Sequence, residues 1–214
     1  MYSAVITSAG SGTRAGLGYN KMLFKLDGLT VIERSVMTFC KNRLFDQIIV
    51  TVSEADYYTY AQILQDYDVQ LVIGGSERMH SVANGVSQAT NDFVFIHDGA
   101  RVFLDDELIA RLADYPEKYD GLALAIEVVD TTLLVKNNRV TEVLDRSALF
   151  NMQTPQVVNR KVYNQCYSDA VANNLVFTDE VSMLTNYNYD CHIAPGESYN
   201  KKLTRPEDFE VNNA

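Results

Sequence analysis

Between Ala9 and Lys21 the chain sets glycines at positions 10, 12, 16 and 18 and two cations, Arg14 and Lys21, directly after the apolar run Ala4-Val5-Ile6. A strand that feeds a glycine-rich loop lines up backbone N–H groups for an anion, because glycine permits close approach and positive φ. With two cations in the same segment, the chemistry suits a triphosphate. Three other readings compete. The P-loop pattern G-x-x-x-x-G-K-[ST] does not occur anywhere in the chain. Gly10-x-Gly12-x-x-Ala15 does match a dinucleotide fingerprint. That arrangement needs a helix starting at the loop and an acidic residue about 20 residues on. Here Gly16, Gly18 and Asn20 oppose an early helix, and the second strand, Gln47 to Val52, comes late. An ordinary glycine-rich turn between strand and helix stays open on these residues alone.

The elements that must position this loop alternate along the chain. Helical spacing over Val31 to Cys40 precedes the strand Gln47–Val52; a helix over 55–67 precedes a strand at 69–73 that ends in Gly74-Gly75. A helix over 81–89 leads into the strand Phe93–His97, and Asp105-Asp106-Glu107 opens another helix that ends near Tyr115-Pro116. Leu122 to Val129 reads as a further buried strand. This βαβα order predicts a mostly parallel sheet with helices on both faces, whose ligands sit beyond the carboxyl ends of the strands. The loops Gly10–Lys21, Gly74–Arg78 and Asp98–Arg101 all fall at those ends. Leu133-Leu134-Val135, a turn at Lys136-Asn137-Asn138 and Val140–Leu144 read as a β-hairpin. An isolated hairpin is marginal in water, so a second subunit is expected to cover it. After Gln153-Thr154-Pro155-Gln156 come helices at about 161–172 and 179–185 and a last strand at 191–194.

Composition narrows the partners. With 18 Lys+Arg against 28 Asp+Glu, the 214-residue chain carries a net charge of −10 and a pI near 4.7. That balance argues against general nucleic-acid or anionic-membrane binding, and it makes cations in glycine-rich loops stand out. The chain is 47% hydrophobic, enough for one undivided α/β domain, residues 1–214, with a substantial core. No run approaches the ~20 apolar residues of a membrane span. The beginning lacks a basic leader, and Cys40, Cys166 and Cys191 lack C-x-x-C spacing. Free thiols in a reducing cytoplasm are expected.

The motifs then accumulate in order: Ala9-Gly10-x-Gly12-x-Arg14, Asn20-Lys21, Gly74-Gly75-x-x-Arg78-x-x-Ser81-Val82, His97-Asp98-Gly99-Ala100-Arg101 and Asp130-Thr131. Leu144-Asp145-Arg146, Gln153-Thr154-Pro155-Gln156, Thr178-Asp179-Glu180 and Asn200-x-Lys202-x-Thr204-x-Pro206-x-Asp208 follow. As a series covering essentially the whole chain, they resemble the 2-C-methyl-D-erythritol 4-phosphate cytidylyltransferase family; the ribitol-5-phosphate cytidylyltransferases share many of them. The resemblance implies a Rossmann-like three-layer α/β/α fold with a β-arm at about 132–151 that joins a homodimer. It also implies a reaction: a sugar-alcohol phosphate attacks the α-phosphorus of CTP and releases pyrophosphate. A phosphate monoester, with its second pKa near ~6, is already largely dianionic at neutral pH, so no general base is needed. The enzyme supplies alignment and charge compensation.

By the same resemblance Arg14 and Lys21 meet the transition state, with Arg146 and Lys202 also in catalytic positions. Ala9, Gly10, Gly12, Gly74, Gly75, Ser81, Asp98 and Ala100 are expected around the nucleotide, and Asp98 is the expected Mg²⁺ ligand. Arg101, Thr131, Arg146, Thr154 and Lys202, with Asp98, are expected to grip the sugar phosphate, Thr131 and Arg146 serving the partner's site. Arg78 reads either as a site cation or as a solvated charge at a helix start. His80, His97 and His192 lack metal-ligand spacing and read as structural or peripheral. The chain departs from the family's pattern at Asn20, where a proline is usual before the lysine, and at Met22, His80 and Val102. These departures spare every expected cation and the metal carboxylate. A catalytically silent nucleotide-binding module and a dehydrogenase are the readings from other classes.

Overall fold

In the computed structural model, which describes residues 1–10, 12, 15–113 and 118–209, the elements follow in chain order. They run β1 (Tyr2–Thr7), β2 (Lys25–Leu26), β3 (Leu29–Thr30), α1 (Val31–Lys41), β4 (Phe45–Val52), α2 (Tyr57–Ile63) and β5 (Gln70–Ile73). Then come α3 (Arg78–Gln88), β6 (Phe93–Asp98), α4 (Asp106–Ala113), β7 (Gly121–Glu127), β8 (Leu133–Lys136) and β9 (Arg139–Val143). The last are β10 (Phe150–Asn159), α5 (Arg160–Ala172), α6 (Glu180–Asn186) and β11 (Cys191–Pro195). The expected alternation holds, and the end expected for α4, at Tyr115-Pro116, lies outside the described residues.

Among the described residues seven strands form one sheet in the order β11-β7-β10-β6-β1-β4-β5. Only β10 runs against its neighbours, antiparallel to both β6 and β7. Alternation along β1 places Ala4 and Ile6 in the core under α1, α2 and α4, and Val5 in the core under α3, α5 and α6. That is the three-layer arrangement, because a strand shows successive side chains to opposite faces. Helix starts are specified locally. Thr30 and Glu33 form a reciprocal capping box on α1, Asn159 caps α5 and Asp179 caps α6. α3 lies close on the sheet because it carries Gly85, where an added Cβ would stand 2.5 Å from Val5 Cγ1.

β10 departs from expectation. The sequence reading names no strand at Gln153-Thr154-Pro155-Gln156, where proline and polar residues disfavour a central one. The stretch is instead the middle of a ten-residue strand. A register shift against β7 between Met152 and Gln156 absorbs the proline. Side-chain hydrogen bonds satisfy the buried polar groups: Gln156 Oε1 accepts from the N–H groups of Glu180 and Val181 at 3.1 and 2.9 Å. The hairpin β8–β9 stands apart as its own two-stranded sheet with every residue exposed. Its turn uses Asn137 and Asn138 at φ 48° and 61°, the left-handed pair a tight hairpin demands. Among the described residues no helix is long and apolar enough to cross a membrane.

Candidate active site

A cleft of about 290 Å³ opens at the carboxyl ends of β1 and β6 and beside the loop after β5. β1 lies between β4 and β6, with chain connections leaving to either side, so this is the point where the strand order reverses. Thr7, Ser8, Ala9, Gly10 and Gly12 form one wall, Gly75 to Arg78 and Ser81 a second, and Asp98, Gly99 and Ala100 the floor. Lys21 and Lys202 enter from opposite ends of the chain.

The glycines do distinct work. Gly12 has φ +67°, and a Cβ there would stand 3.0 Å from both the backbone nitrogen and Cγ of Lys21. Side-chain-free backbone is thus what lets the lysine fold back over the loop. Gly74 does not line the cleft. A Cβ on it would lie 2.4 Å from Ala9 Cβ and 2.8 Å from Ser81 Oγ, so it lets the two walls approach. Ser81 Oγ in turn accepts the Gly75 N–H at 3.1 Å and donates to Glu77 O at 3.0 Å, which locks the loop onto α3.

Asp98 closes β6 and gathers three cations. Its Oδ1 takes Arg78 Nε at 3.1 Å, while Oδ2 lies 3.0 Å from Lys202 Nζ and 3.6 Å from Arg101 Nε. Burial alone would raise this carboxyl, yet Arg78, Lys202 and Arg101 outweigh it and hold the group well below the usual carboxylate range. Arg78 is therefore a paired charge at the cleft wall and not a solvated one. It also grips Glu180, at the start of α6, through two bonds of 2.6 and 3.2 Å. Burial pushes the Glu180 carboxyl up against the pull of Arg78, and that arginine is more firmly protonated for its two carboxylate partners despite its own burial. Glu180 belonged to the quoted Thr178-Asp179-Glu180 motif without an assigned role, and its 3% exposure is what marks it. No local pattern could have disclosed it, because its partner is 102 residues away.

Arg101 faces the Asp98 carboxylate and anchors the C-terminal segment by donating to Asn200 O at 2.8 Å. The Leu203 N–H donates to Ala100 O at 2.9 Å beside it, and Lys21 Nζ donates to Leu203 O at 2.5 Å. Together these contacts bring Lys202 to the cleft. His97 is fully buried, and desolvation pushes its pKa down to about 4. It donates from Nε2 to Arg101 O at 3.0 Å, so its Nδ1 must accept from Thr154 Oγ1 at 3.1 Å. Thr154 Oγ1 also accepts the Asp98 N–H at 2.9 Å. Thr154, expected at the sugar phosphate, is 4% exposed, and its hydroxyl is bonded inward to the backbone of Asp98 and to His97. His97 is structural, as read.

Arg101 and Thr154 touch Asp98 but, like Gly74, are not among the residues that line the cleft, and Thr131 and Arg146 are not brought to it by the chain itself. Thr131 and Arg146 lie exposed at the base of the hairpin, with Arg146 donating to Val129 O at 2.8 Å. Arg14 lies outside the described residues. The sequence reading passed over Ser8, Ser76 and Glu77, all of which line the cleft. Ser8 was the most accessible of these, as the residue joining β1 to the glycine loop. Among the described residues no three acidic, histidine or cysteine side chains gather as a metal cage.

Comparison with known proteins follows the same lines. Residues 2–214 match the family described as 2-C-methyl-D-erythritol 4-phosphate cytidylyltransferase. A protein of that name from Bacillus cereus is 32% identical over 98% of this chain and 95% of its own length. One from Aquifex aeolicus is 33% identical over 99% and 95%. Among solved structures, the 4-diphosphocytidyl-2C-methyl-D-erythritol synthase of Anaerococcus prevotii superposes with a TM-score of 0.89 at 27% identity, covering 100% of this chain and 94% of that one. The Francisella tularensis 2-C-methyl-D-erythritol 4-phosphate cytidylyltransferase gives 0.85 at 27%, over 99% and 98%.

Proposed function

The chain belongs to the 2-C-methyl-D-erythritol 4-phosphate cytidylyltransferase family, a CTP-dependent nucleotidyltransferase of isoprenoid precursor biosynthesis, and we propose that the cleft at the ends of β1 and β6 performs its reaction. The observation that carries this assignment is the convergence of Arg78, Arg101 and Lys202 on one buried carboxylate, with Lys21 entering beside them. In a chain of net charge −10, such a gathering of cations at glycine-rich backbone suits a triphosphate and a phosphomonoester.

The glycine loop amides cradle the triphosphate, and Gly75 with Ser81 borders the base. The sugar phosphate, already dianionic, attacks the α-phosphorus in line, and pyrophosphate leaves. Lys21, with Arg14 from the same loop, compensates charge on the five-coordinate phosphorus. Arg101 and Lys202 receive the sugar phosphate beside Asp98. Thr154 serves indirectly by orienting Asp98.

The residues also suit Mg²⁺ carried on the triphosphate. Asp98 is a hard oxygen donor kept ionised at the cleft floor, and one carboxylate completed by phosphate oxygens and water is an ordinary Mg²⁺ set. Bound there, the ion would neutralise part of the triphosphate charge.

We assign the protruding hairpin to a homodimer. Leu133, Leu134, Val135, Val140 and Val143 are all exposed on it, and pairing would carry Thr131 and Arg146 to the partner's cleft. The chain is proposed to act as one domain in the cytoplasm. A sedimentation experiment is expected to give twice the chain mass; replacing the apolar arm residues with serine is expected to give monomers that turn over poorly.

The reaction itself is tested by incubation with CTP and Mg²⁺ and either 2-C-methyl-D-erythritol 4-phosphate or ribitol 5-phosphate, following pyrophosphate. Release is expected with the first. Faster turnover of ribitol 5-phosphate would overturn the substrate assignment.

A further inference from the structure

Asn20 stands where the glycine loop rejoins the body of the protein, immediately before Lys21. It is 9% exposed, and its amide is spent on contacts that bear directly on the lysine. The side-chain oxygen accepts the Met22 N–H at 3.1 Å, capping the short 3-10 turn Lys21–Leu23. Its Nδ2 donates to Asp56 Oδ2 at 2.8 Å and reaches Tyr60 Oη at 3.5 Å. Both partners are themselves fixed. Asp56 Oδ2 accepts from Ser53 Oγ at 2.7 Å; Tyr60 is fully buried, with its hydroxyl 2.5 Å from Ser8 Oγ at the end of β1. One amide thus ties the residue entering Lys21 to the end of β1, to the turn after β4 and to α2.

The backbone of Asn20 has φ −62° and ψ 117°, the φ that a pyrrolidine ring would enforce covalently. Asparagine carries no such restriction and favours turns with several backbone conformations. In this chain the hydrogen bonds supply the restriction instead. We propose that Asn20 is the positioning residue for Lys21: its amide holds the backbone in the one direction that lays the lysine stem against Gly12 and its ammonium at the cleft.

The proposal rests on the assignment of Lys21 to the reaction, and the experiment separates the two. Asn20→Ala releases both anchors. It is expected to lower kcat about 10- to 100-fold, the scale of a reacting group displaced by about 1 Å, while the dissociation constant for CTP changes little and the thermal melt falls by only a few degrees. Asn20→Pro loses the same hydrogen bonds but restores φ by its ring, and is expected to recover most of the lost kcat with no gain in CTP affinity. A merely structural role would lower the melt and leave kcat per folded molecule unchanged. Wild-type kcat in Asn20→Ala would overturn the proposal, and so would an Asn20→Pro variant no faster than Asn20→Ala. If Lys21→Ala itself turns over normally, the assignment of the lysine has failed; if that variant is inactive and Asn20→Ala is not, only the positioning role has.

Discussion

Lys21→Ala is expected to fold, to bind CTP and to lose about 10²–10³-fold in kcat, the effect of removing one donor aimed at developing charge. Folding survives because the side chain is only half-buried and packs along the loop at Gly12, outside both cores. Binding is expected to survive because the ground-state triphosphate keeps the loop amides and Arg78. In the proposed reaction, what disappears is a cation that meets charge accumulating only as the fifth ligand reaches phosphorus, and such interactions act on kcat. Lys21→Arg keeps the charge but ends in a wider planar fork, so it is expected to recover only part of the loss. Pyrophosphate release at saturating CTP, with a separate CTP titration, checks both halves. An unchanged kcat would take Lys21 out of the reaction; a lost CTP affinity at normal kcat would make it a ground-state contact only.

The sequence discloses this lysine because the signals that mark it are local, an apolar strand, glycines at closely spaced positions and a cation at the exit, whereas the contacts that hold it, Asn20 to Asp56 and Lys21 to Leu203 O, are not. Asp98 and Lys202 are 104 residues apart in numbering, 98 against 202, and entered only through the order of motifs along the whole chain. Geometry was harder to foresee than identity. Thr154 stands out in the sequence beside Pro155, but the register of β10 decides which way its hydroxyl faces, since a shift of one residue exchanges the two faces of a strand. The same proline and its polar neighbours concealed the strand itself. Their burial is stable only because Gln156 finds the first N–H groups of α6 and Gln153 finds the C-terminal segment, donating to Glu197 O at 2.8 Å, and neither partner is near in sequence. Arg78 was ambiguous for a related reason. A helix-start arginine is ordinarily solvated, and only the tertiary approach of Glu180 and Asp98 gives it two buried carboxylates.

Asp98→Asn is expected to weaken the free protein and to make it lean on its ligand. The substitution keeps the shape of the side chain and leaves the backbone bond to Thr154 intact, so it removes charge alone. Arg78, Arg101 and Lys202, whose side chains are 25%, 12% and 33% exposed, would then face one another with Glu180, paired to Arg78, as their carboxylate partner among the described residues. Breaking one partner out of a buried ionic group costs about 3–5 kcal/mol. Partial exposure of the cations favours the lower end, and for a chain of this length that corresponds to a fall in Tm on the order of 10 °C. A polyphosphate can supply the missing negative charge. Pyrophosphate, added without metal, is therefore expected to raise the Tm of Asp98→Asn by more than it raises that of the unaltered protein, since at a given concentration the tighter-binding ligand stabilises the folded state more. Turnover is expected to fall nonetheless, because Arg78, Arg101 and Lys202 lose the carboxylate that sets their directions and the triphosphate loses the oxygen donor proposed for its Mg²⁺. The two readouts move oppositely, tighter anion binding with slower chemistry, which a general weakening of the fold cannot produce. Equal stabilisation of both proteins by pyrophosphate would mean that Asp98 does not govern these cations.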